Sequence, residues 1–528
     1  MTERRVPAPE TEPADHGMSD LRTLAGGSTV TLVGMIAKGA LGFVLVLVVT
    51  RGLGPQGSGL FFQATALFLI LAAVKMGADT GLVRFVSRSI ALGRPQDVRS
   101  VLRIATIPVA VVTTALGAAV FLFAPWLAHA VFEGVEPARA TSSLRVLSAF
   151  LPLAAVSDVL VGGTRGFGTV LPYVAVESVG KPLLRPVFVW IALAAGATGL
   201  GVLTAWSLPI VLGLPLVAWW LLTLLRRLDG QPGGPSPSAS GTSLTREFWT
   251  FCIPQGFAAL LQTCVRSLDV LLVGALRTTA EAGVYAAVSR TVLFGQFAIE
   301  SVRIAIAPQI SALLASEDHA RAEAVYRVAT WWLVLVSWPV YLFLAVFAPS
   351  ITSVFGAGFA GGQDALTLLS LGMLLSIGTG NVSTLLLMSG RSSAVLFNTS
   401  AALAVDVGLN VVLIPRMGIE GAAVAWVVSI ATGELLALWQ SWRHLRILPF
   451  GSGFAVAAFG SLGCYGAIEL AVRWRFGTSL PVMATALVLS TAAYGALLYR
   501  FRSMLQLGAL WHVVTHPFGS SGLPTPTA

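Results

Sequence analysis

The chain has 528 residues, of which 55% are apolar and only 11% are charged. Soluble domains carry about 25% charged residues, so this composition excludes a soluble globular protein of such length. The mean hydropathy of +0.82 predicts an all-α integral membrane protein whose surface faces lipid. The net charge of +9 is the bias expected of cytoplasmic loops, which indicates an anionic lipid surface as partner and no nucleic acid.

Fourteen apolar stretches are long enough to cross a bilayer, which takes roughly 20 apolar residues in a helix. They lie at residues 29–50, 60–76, 101–127, 144–160, 170–197, 200–225, 248–276, 282–299, 328–347, 365–388, 394–414, 421–439, 453–472 and 480–499. The even number places both termini on one side of the membrane.

The arginine distribution predicts which side that is. With the N-terminus in the cytoplasm, inside segments hold twenty arginines and outside segments hold seven. Basic residues concentrate in cytoplasmic loops, so we expect both termini in the cytoplasm. The seven outside residues are Arg51, Arg139, Arg145, Arg277, Arg416, Arg473 and Arg475.

A polar stretch in the middle of the chain, GQPGGPSPSASGTS at residues 230–243, has the composition of a flexible linker. It separates six spans from the next six. The expected organisation is therefore a disordered cytoplasmic tail (1–20), an N-terminal six-helix lobe (21–225), a cytoplasmic linker (226–247), a C-terminal six-helix lobe (248–440), two additional transmembrane helices (441–500) and a cytoplasmic tail (501–528).

The two halves contain similar short strings at a nearly constant separation. LRVLS at residue 144 resembles LTLLS at residue 366, GVLTAW at 201 resembles GAAVAW at 421, and GLF at 59 resembles GVY at 283. Because each half has six spans, both insert with the same orientation, which predicts a parallel repeat of the kind that transporters use. Chance similarity among helices rich in Ala, Leu and Val is the competing interpretation.

Several motifs resemble those of the Wzx-like polysaccharide (oligosaccharide) flippases of the multidrug/oligosaccharidyl-lipid/polysaccharide (MOP) superfamily. VVTRGLGPQG at 48–57 resembles the end of their first helix. DVLLVG at 269–274, followed by GVYAA at 283–287, resembles the first helix pair of their second half. The most specific match is NVVLIP at 410–415 followed by GIEGAA, which is similar to their eleventh and twelfth helices. The resemblance covers about residues 24–439.

This resemblance implies two six-helix lobes around a central cavity, with the first, second, seventh and eighth helices near its wall. It implies a polyprenyl-diphosphate-linked oligosaccharide as substrate, moved from the inner to the outer leaflet of a bacterial cytoplasmic membrane. A polysaccharide polymerase or export machinery is the implied protein partner. One departure weakens a lipid II substrate: lipid II flippases carry an Arg-Asp pair six residues before the arginine that Arg51 resembles, and Leu45 and Val46 stand there.

Seven ionisable residues inside the predicted spans are the candidate substrate-binding residues, because a charge in hydrocarbon is costly and usually faces protein or a water-filled cavity. Five are positive and two are negative, which fits a cavity for a diphosphate. The seven are Lys38, Glu177, Lys181, Arg185, Arg266, Asp269 and Arg290. The acids Asp158, Asp406 and Glu434 lie in other spans and would reduce the positive excess.

The spacing of these residues groups them. Glu177, Lys181 and Arg185 recur every four residues and so share one helix face, beside two prolines at 182 and 186 that free backbone carbonyls. Arg266 and Asp269 are one turn apart. The competing interpretation is that Glu177 pairs with Lys181 and Asp269 with Arg266, so that each pair locks helices together. It applies less to Lys38 and Arg290, which lack an acidic partner in sequence.

Neither catalysis nor a metal site is predicted. The six histidines are scattered, and Cys252, Cys264 and Cys464 lack paired spacing. GLGPQG at 52–57 matches a dinucleotide-binding string but follows a membrane helix, so it indicates a tight turn. No cofactor is expected. Coupling to a proton, a sodium ion or the membrane potential is left open.

The leading hypothesis is a lipid-linked oligosaccharide flippase for cell-surface polysaccharide biosynthesis, working by alternating access. A cation-coupled multidrug exporter of the same superfamily is the first alternative, and it would need acidic residues in its cavity. A lipid II flippase is the second. A membrane glycosyltransferase or polymerase is disfavoured, because it would need a large outer loop with catalytic acids or a cytoplasmic catalytic domain.

Overall fold

The computed structural model of the chain describes residues 14–229, 241–293, 307 and 310–505, and within these ranges the chain forms helices and turns without a strand. The first half contains α1 (Ala14–Ala72), α2 (Ala78–Ala91), α3 (Pro95–Val131), α4 (Pro137–Gly166), a π-helical segment (Tyr173–Gly180), α5 (Lys181–Ala194) and α6 (Gly199–Asp229).

The second half repeats this series and adds a helix pair. Its first part contains α7 (Gly241–Leu276), α8 (Thr279–Leu293), α9 (His319–Val346), α10 (Ala348–Val354), a 3-10 segment (Ala357–Gly362), α11 (Gln363–Gly378), α12 (Val382–Met388), α13 (Ser392–Met417) and α14 (Ile419–Leu445). The final pair contains α15 (Ser452–Ser461), a π-helical segment (Leu462–Ala467), α16 (Ile468–Phe476) and α17 (Leu480–Arg500).

Eleven helices among the described residues are long and apolar enough to cross a membrane. The first of them contains two of the fourteen expected spans, which α1 joins across a kink at Gly54. The fifth expected span is divided between the π-helical segment and α5, and the eighth is described only as far as Leu293. These three differences account for the smaller number, and the all-α membrane fold is confirmed.

The helices extend past several of the expected domain boundaries. The helix α1 begins at Ala14, inside the expected tail 1–20, whose first thirteen residues lie outside the described ranges. Helical structure also occupies both ends of the expected linker 226–247, of which 230–240 are not described. Of the final tail, 501–505 form a turn and 506–528 are not described. Hydropathy marks where the bilayer ends, whereas helical hydrogen bonding continues past that point.

A glycine and a proline join the first two spans. Gly54 has φ 65° and ψ −174°, a conformation that favours glycine, and Pro55 follows it. The GLGPQG string is therefore a kink between two membrane helices.

Helix packing in the two lobes follows the same pattern. In the first lobe α4 packs against both α3 and α6, α5 packs against α6, and α1 packs against α5. In the second lobe α11 packs against both α9 and α14, α13 packs against α14, and α7 packs against α13. Equivalent neighbours at equivalent chain positions are what a parallel repeat requires.

The lobes touch at an outer lobe contact between α1 and α8. A Cβ added to Gly59 would lie 1.7 Å from the Thr279 carbonyl oxygen, and one added to Gly283 would lie 2.2 Å from the Pro55 carbonyl oxygen. The backbone N–H of Thr279 also donates to the carbonyl of Glu133 at 2.9 Å. Backbone-to-backbone packing of this kind closes the lobes against each other on the side predicted to be outside.

A second, inner lobe contact joins α2 and the segment before it to α7. A Cβ added to Gly77 would lie 2.4 Å from the Cys252 carbonyl oxygen, and one added to Gly256 would lie 2.3 Å from the carbonyl carbon of Met76. One added to Gly81 would lie 2.2 Å from the Cys252 sulfur. The lobes are therefore in contact at both ends.

The last helix pair is attached to α9 through polar groups. The Tyr494 hydroxyl donates to the Leu335 carbonyl at 3.0 Å, and the Trp332 indole N–H donates to the Leu505 carbonyl at 3.2 Å. These bonds dock the additional helices onto the second lobe.

Candidate functional site

The first lobe holds a buried ion pair on the face that the four-residue spacing predicted. Lys181 Nζ lies 2.5 Å from Glu177 Oε1 and 3.3 Å from the Ser157 hydroxyl of α4. The Lys181 residue is 5% exposed. The change from π-helix to α-helix falls at Gly180 and Lys181, beside the two prolines of this span. Glu177 thus neutralises Lys181, as the competing interpretation of the sequence proposed.

The same lobe contains charges that sequence reasoning did not select. Lys75 Nζ lies 2.9 Å from Asp158 Oδ2 and 3.1 Å from Asp79 Oδ2. Asp158 also interacts electrostatically with Lys181 and Lys38. Lys38 itself is exposed on α1. Because Lys75 is at the predicted end of the second span, hydropathy alone gave no reason to treat it as an internal charge.

Two arginines predicted as site residues each stack on an aromatic ring. The Arg185 guanidinium of α5 lies 4.2 Å from the centroid of Trp206 in α6, and the Arg290 guanidinium of α8 lies 4.3 Å from the centroid of Phe62 in α1. A cation over an aromatic face is attracted by the ring quadrupole. Arg290 therefore contacts the opposite lobe, whereas Arg185 stays within its own.

Aromatic side chains link these two arginines. The ring of Trp206 lies 6.2 Å from that of Phe61, which lies 5.3 Å from that of Phe62, all in edge-to-face geometry. We call the five residues Arg185, Trp206, Phe61, Phe62 and Arg290 the arginine–aromatic chain. It runs from the middle of the first lobe to the second.

Neither arginine of this chain has an acidic partner within 4 Å among the ion pairs that the described residues form. Arg185 Nε is buried without a hydrogen-bond partner. A guanidinium has five N–H donors in a planar fork, and an aromatic face uses none of them. Both side chains thus keep donors that an anion could accept.

The second lobe arranges its charges differently from the Arg266–Asp269 pair of the competing interpretation. Asp269 is 5% exposed and accepts hydrogen bonds from the Tyr285 hydroxyl and the Asn410 amide, each at 3.0 Å. Arg266 forms no ion pair with it within the described residues, although both line a small cavity together with Tyr285 of α8. The competing interpretation does not hold for Asp269, because a tyrosine of α8 and an asparagine of α13, remote in sequence, occupy the carboxylate.

A second acid completes this arrangement. The Asp406 carboxyl group is fully buried beside the Asp269 carboxyl and the Asn410 amide. Asp406 and Asn410 are four residues apart, so one face of α13 supplies both. We call Asp269, Asp406, Asn410 and Tyr285 the acidic cluster. Sequence reasoning counted Asp406 only as a charge that reduces the positive excess; its spacing from Asn410 was the signal that could have revealed the cluster.

The seven predicted residues therefore fall into three places. Lys38, Glu177 and Lys181 belong to the charge network of the first lobe. Arg185 and Arg290 lie at the two ends of the arginine–aromatic chain. Asp269 and Arg266 line the cavity of the second lobe.

Comparison with known sequences decides the family. The sequence profile of the polysaccharide biosynthesis protein family matches residues 24–314, more than half of the chain. The chain belongs to this family. The MatE family profile also matches, over residues 254–412, and the two matches place the chain in the flippase group of the MOP superfamily. None of the curated proteins matches the sequence.

Solved structures agree on the fold. Lipid II flippase MurJ in an inward closed conformation is similar with a TM-score of 0.71 and 11% identity, over 90% of this chain and 99% of that one. An inward-facing multidrug resistance MATE family transporter of the MOP superfamily is similar with a TM-score of 0.65 and 16% identity, over 79% and 98%. At such identities the likeness establishes the fold alone.

Proposed function

We propose that this protein is a flippase that moves a polyprenyl-diphosphate-linked oligosaccharide across the cytoplasmic membrane for cell-surface polysaccharide biosynthesis. The observation that carries the proposal is the arginine–aromatic chain, which reaches across the lobes and holds two guanidinium groups that have no acid within 4 Å among the described residues. The family to which the chain belongs handles polysaccharide biosynthesis. A diphosphate is the anionic part of such a substrate.

The sign and the surroundings of these charges favour an anionic headgroup. Guanidinium groups bind phosphate oxygens through paired N–H donors, and these charge-assisted bonds are strong where water is scarce. Arg185 and Arg290 lie against aromatic side chains, which leaves their N–H donors available. A bound diphosphate would accept hydrogen bonds from these donors. The prenyl tail would stay in lipid while the headgroup occupies the space between the lobes.

Transport would follow from the two lobe contacts. In alternating access, the inner contact opens for the substrate to enter and the outer contact opens for it to leave. Arg290 contacts Phe62 of the opposite lobe, so a headgroup bound there would sit where the lobes separate. A headgroup that binds more tightly to one state would then shift the equilibrium between closure of the inner contact and closure of the outer contact.

We further propose that the acidic cluster binds the coupling ion. Two neighbouring carboxyl groups in a membrane interior cannot both carry an uncompensated charge. A proton or a sodium ion held between Asp269 and Asp406 would supply the compensation, with the Asn410 amide and Tyr285 hydroxyl as additional ligands. The cluster lies in the second lobe, and its Tyr285 shares α8 with Arg290, so the ion would bind next to one end of the arginine–aromatic chain.

The acidic cluster is also the observation that favours the alternative function, a cation-coupled multidrug exporter. A cationic drug would need acids at the substrate site, and the acidic cluster would supply them, whereas the arginine–aromatic chain presents positive charge. The lipid II alternative is supported by structural likeness to MurJ, which is a likeness of fold. Leu45 and Val46 stand where the lipid II branch has its charged pair.

We propose a location in the bacterial plasma membrane with both termini in the cytoplasm, in contact with membrane lipids and with a polysaccharide polymerase or export machinery. The arginine asymmetry between the two sides supports this orientation.

Export of surface polysaccharide tests the proposal. Arg185→Gln and Arg290→Gln should each abolish export at unchanged amounts of folded protein. Arg145→Gln is the matched control, because Arg145 also stacks on an aromatic ring, Phe121 at 5.0 Å, but is exposed. Normal export in both site variants contradicts the proposal, and loss of drug resistance in the same strains would favour the exporter.

A further inference from the structure

The chain turns between α1 and α2, close to the inner lobe contact. The helix α1 ends at Ala72 and α2 begins at Ala78, and in the turn between them Met76 has φ 56° and Gly77 has φ 72°. A left-handed backbone is unfavourable for methionine, which carries a Cβ. The contacts around the turn must therefore hold it in place.

Lys75 supplies the charged part of these contacts. It pairs with Asp79 in the first turn of α2 and with Asp158 in α4, at 3.1 and 2.9 Å. The Lys75 side chain is 19% exposed. One ammonium group thus connects the turn between α1 and α2 to two helices of the first lobe.

The turn that Lys75 holds is the part of the first lobe that touches α7. Gly77 faces the backbone of Cys252 and Gly256 with no room for a side chain, and Gly256 faces the Met76 backbone in the same way. A shift of residues 75–77 consequently changes the inner lobe contact directly.

The same lysine is connected to the candidate substrate cations. Asp158 follows Ser157, whose hydroxyl contacts Lys181, and Asp158 interacts electrostatically with both Lys181 and Lys38. An anion that arrives beside Lys181 would repel Asp158 and attract Lys75. The Lys75–Asp158 pair is thus the ion pair through which such an anion would reach the inner contact.

We propose that the Lys75–Asp158 ion pair is a tether that keeps the inner lobe contact closed, and that an anionic headgroup beside Lys181 releases it by competing for Lys75. The identity of the anion rests on the proposed function; the tether does not. Lys75 is therefore a positioning residue, which acts on the lobe contact through residues 76 and 77.

Cys252 provides a native reporter for the test. It is fully buried in the inner lobe contact, with its sulfur against Gly81. With Cys264 and Cys464 replaced by serine, the rate of its reaction with N-ethylmaleimide in purified, lipid-reconstituted protein measures opening of the contact. We expect Lys75→Gln and Asp158→Asn each to raise this rate about tenfold, as for a partly buried ion pair that favours the closed state. Lys75→Arg should keep the rate low.

Arg88→Gln is the control. The Arg88–Glu247 pair also joins α2 to α7, but its side chains are 52% and 51% exposed, and exposed pairs contribute little, so we expect a change of about twofold or less. If Lys75→Gln and Asp158→Asn fold normally and react at the parental rate, the tether is overturned. Two variants are needed because either one alone could disturb folding.

A second arm adds farnesyl diphosphate, with farnesol as the uncharged control. Faster Cys252 reaction in the parent but not in Lys75→Gln supports release through Lys75. Equal acceleration in both proteins overturns that role. If the first arm succeeds and farnesyl diphosphate changes neither protein, the tether stands and the diphosphate substrate of the proposed function is contradicted.

Discussion

Arg290 and Phe62 belong to different lobes, and the guanidinium carbon of the one lies 4.3 Å from the ring centroid of the other. This contact is the end of the arginine–aromatic chain, and it predicts the effect of removing the ring without removing the charge. Phe62→Leu keeps an apolar side chain but loses the aromatic face, which contributes about 0.5–2 kcal/mol to holding a cation. We expect export to fall by roughly 2- to 30-fold, the range to which that energy corresponds.

The control for this variant is Phe121→Leu, which removes the ring beneath the exposed Arg145. It should leave export within about twofold of the parent, because a cation on an exposed ring gains little. Equal losses in the two variants would show that the effect is general to aromatic substitution.

The Glu177–Lys181 pair allows its structural and functional contributions to be separated. Glu177→Gln leaves the buried Lys181 charge without its partner, and breaking a buried pair costs about 3–5 kcal/mol. Lys181→Gln should cost less, because the Glu177 side chain is 18% exposed. The double variant should recover much of the thermal stability. Export should stay low in the double variant, because Lys181 is still missing; recovery of export together with stability would make the pair purely structural.

The sequence predicted the membrane helices well and the contacts of their charges poorly. A long apolar run indicates directly that a helix is surrounded by lipid, so the fold class could be derived from composition. The Glu177–Lys181 pair could be predicted because its residues are four apart in one predicted span. The partners of Asp269 were not, since Asn410 is 141 residues away and joins it only after the second lobe has packed.

Hydropathy also could not predict where one helix ends and the next begins within an apolar region. Lys75 looked like the polar end of a span, whereas the chain turns there and continues as α2. The aromatic partners of Arg185 and Arg290 come from other helices, so spacing along one helix gave no sign of them. For Arg290 the sequence showed only that no acid lies nearby along its own helix.

Substitutions in the acidic cluster should uncouple transport from the ion gradient, whereas substrate binding should be retained. Asp269→Asn and Asp406→Asn each remove a carboxylate that a proton or sodium ion would use. In reconstituted vesicles, both variants should lose the dependence of transport on the ion gradient. Asp364→Asn is the control, because Asp364 is an exposed acid in the first turn of α11. A gradient dependence that survives in both cluster variants would place the coupling ion elsewhere.

The outer lobe contact predicts a steric block. Gly59→Val would push against the Thr279 carbonyl, which an added Cβ would approach to 1.7 Å, and should hold the outer contact open. Gly361→Val is the matched control, since nothing lies within 4 Å of a Cβ there. Faster labelling of a cysteine at Thr279 from the outside in the first variant alone is the expected result. Unchanged labelling would mean that this contact does not close the pathway.

The orientation in the membrane predicts which surface cysteines an impermeant thiol reagent reaches. In whole cells Gly361→Cys should react and Leu92→Cys should not, although both positions are exposed. Reaction of Leu92→Cys in intact cells would reverse the proposed topology.

Binding of a prenyl diphosphate to the purified protein tests the proposed function most directly. The protein and its Arg185→Gln/Arg290→Gln double variant, reconstituted in lipid nanodiscs, would be titrated with farnesyl diphosphate and with farnesol. We predict that the parent prefers the diphosphate and that the double variant loses at least about tenfold in affinity for it, because two charge-assisted contacts are removed. Equal affinity of the two proteins for farnesyl diphosphate would contradict a diphosphate site at these arginines.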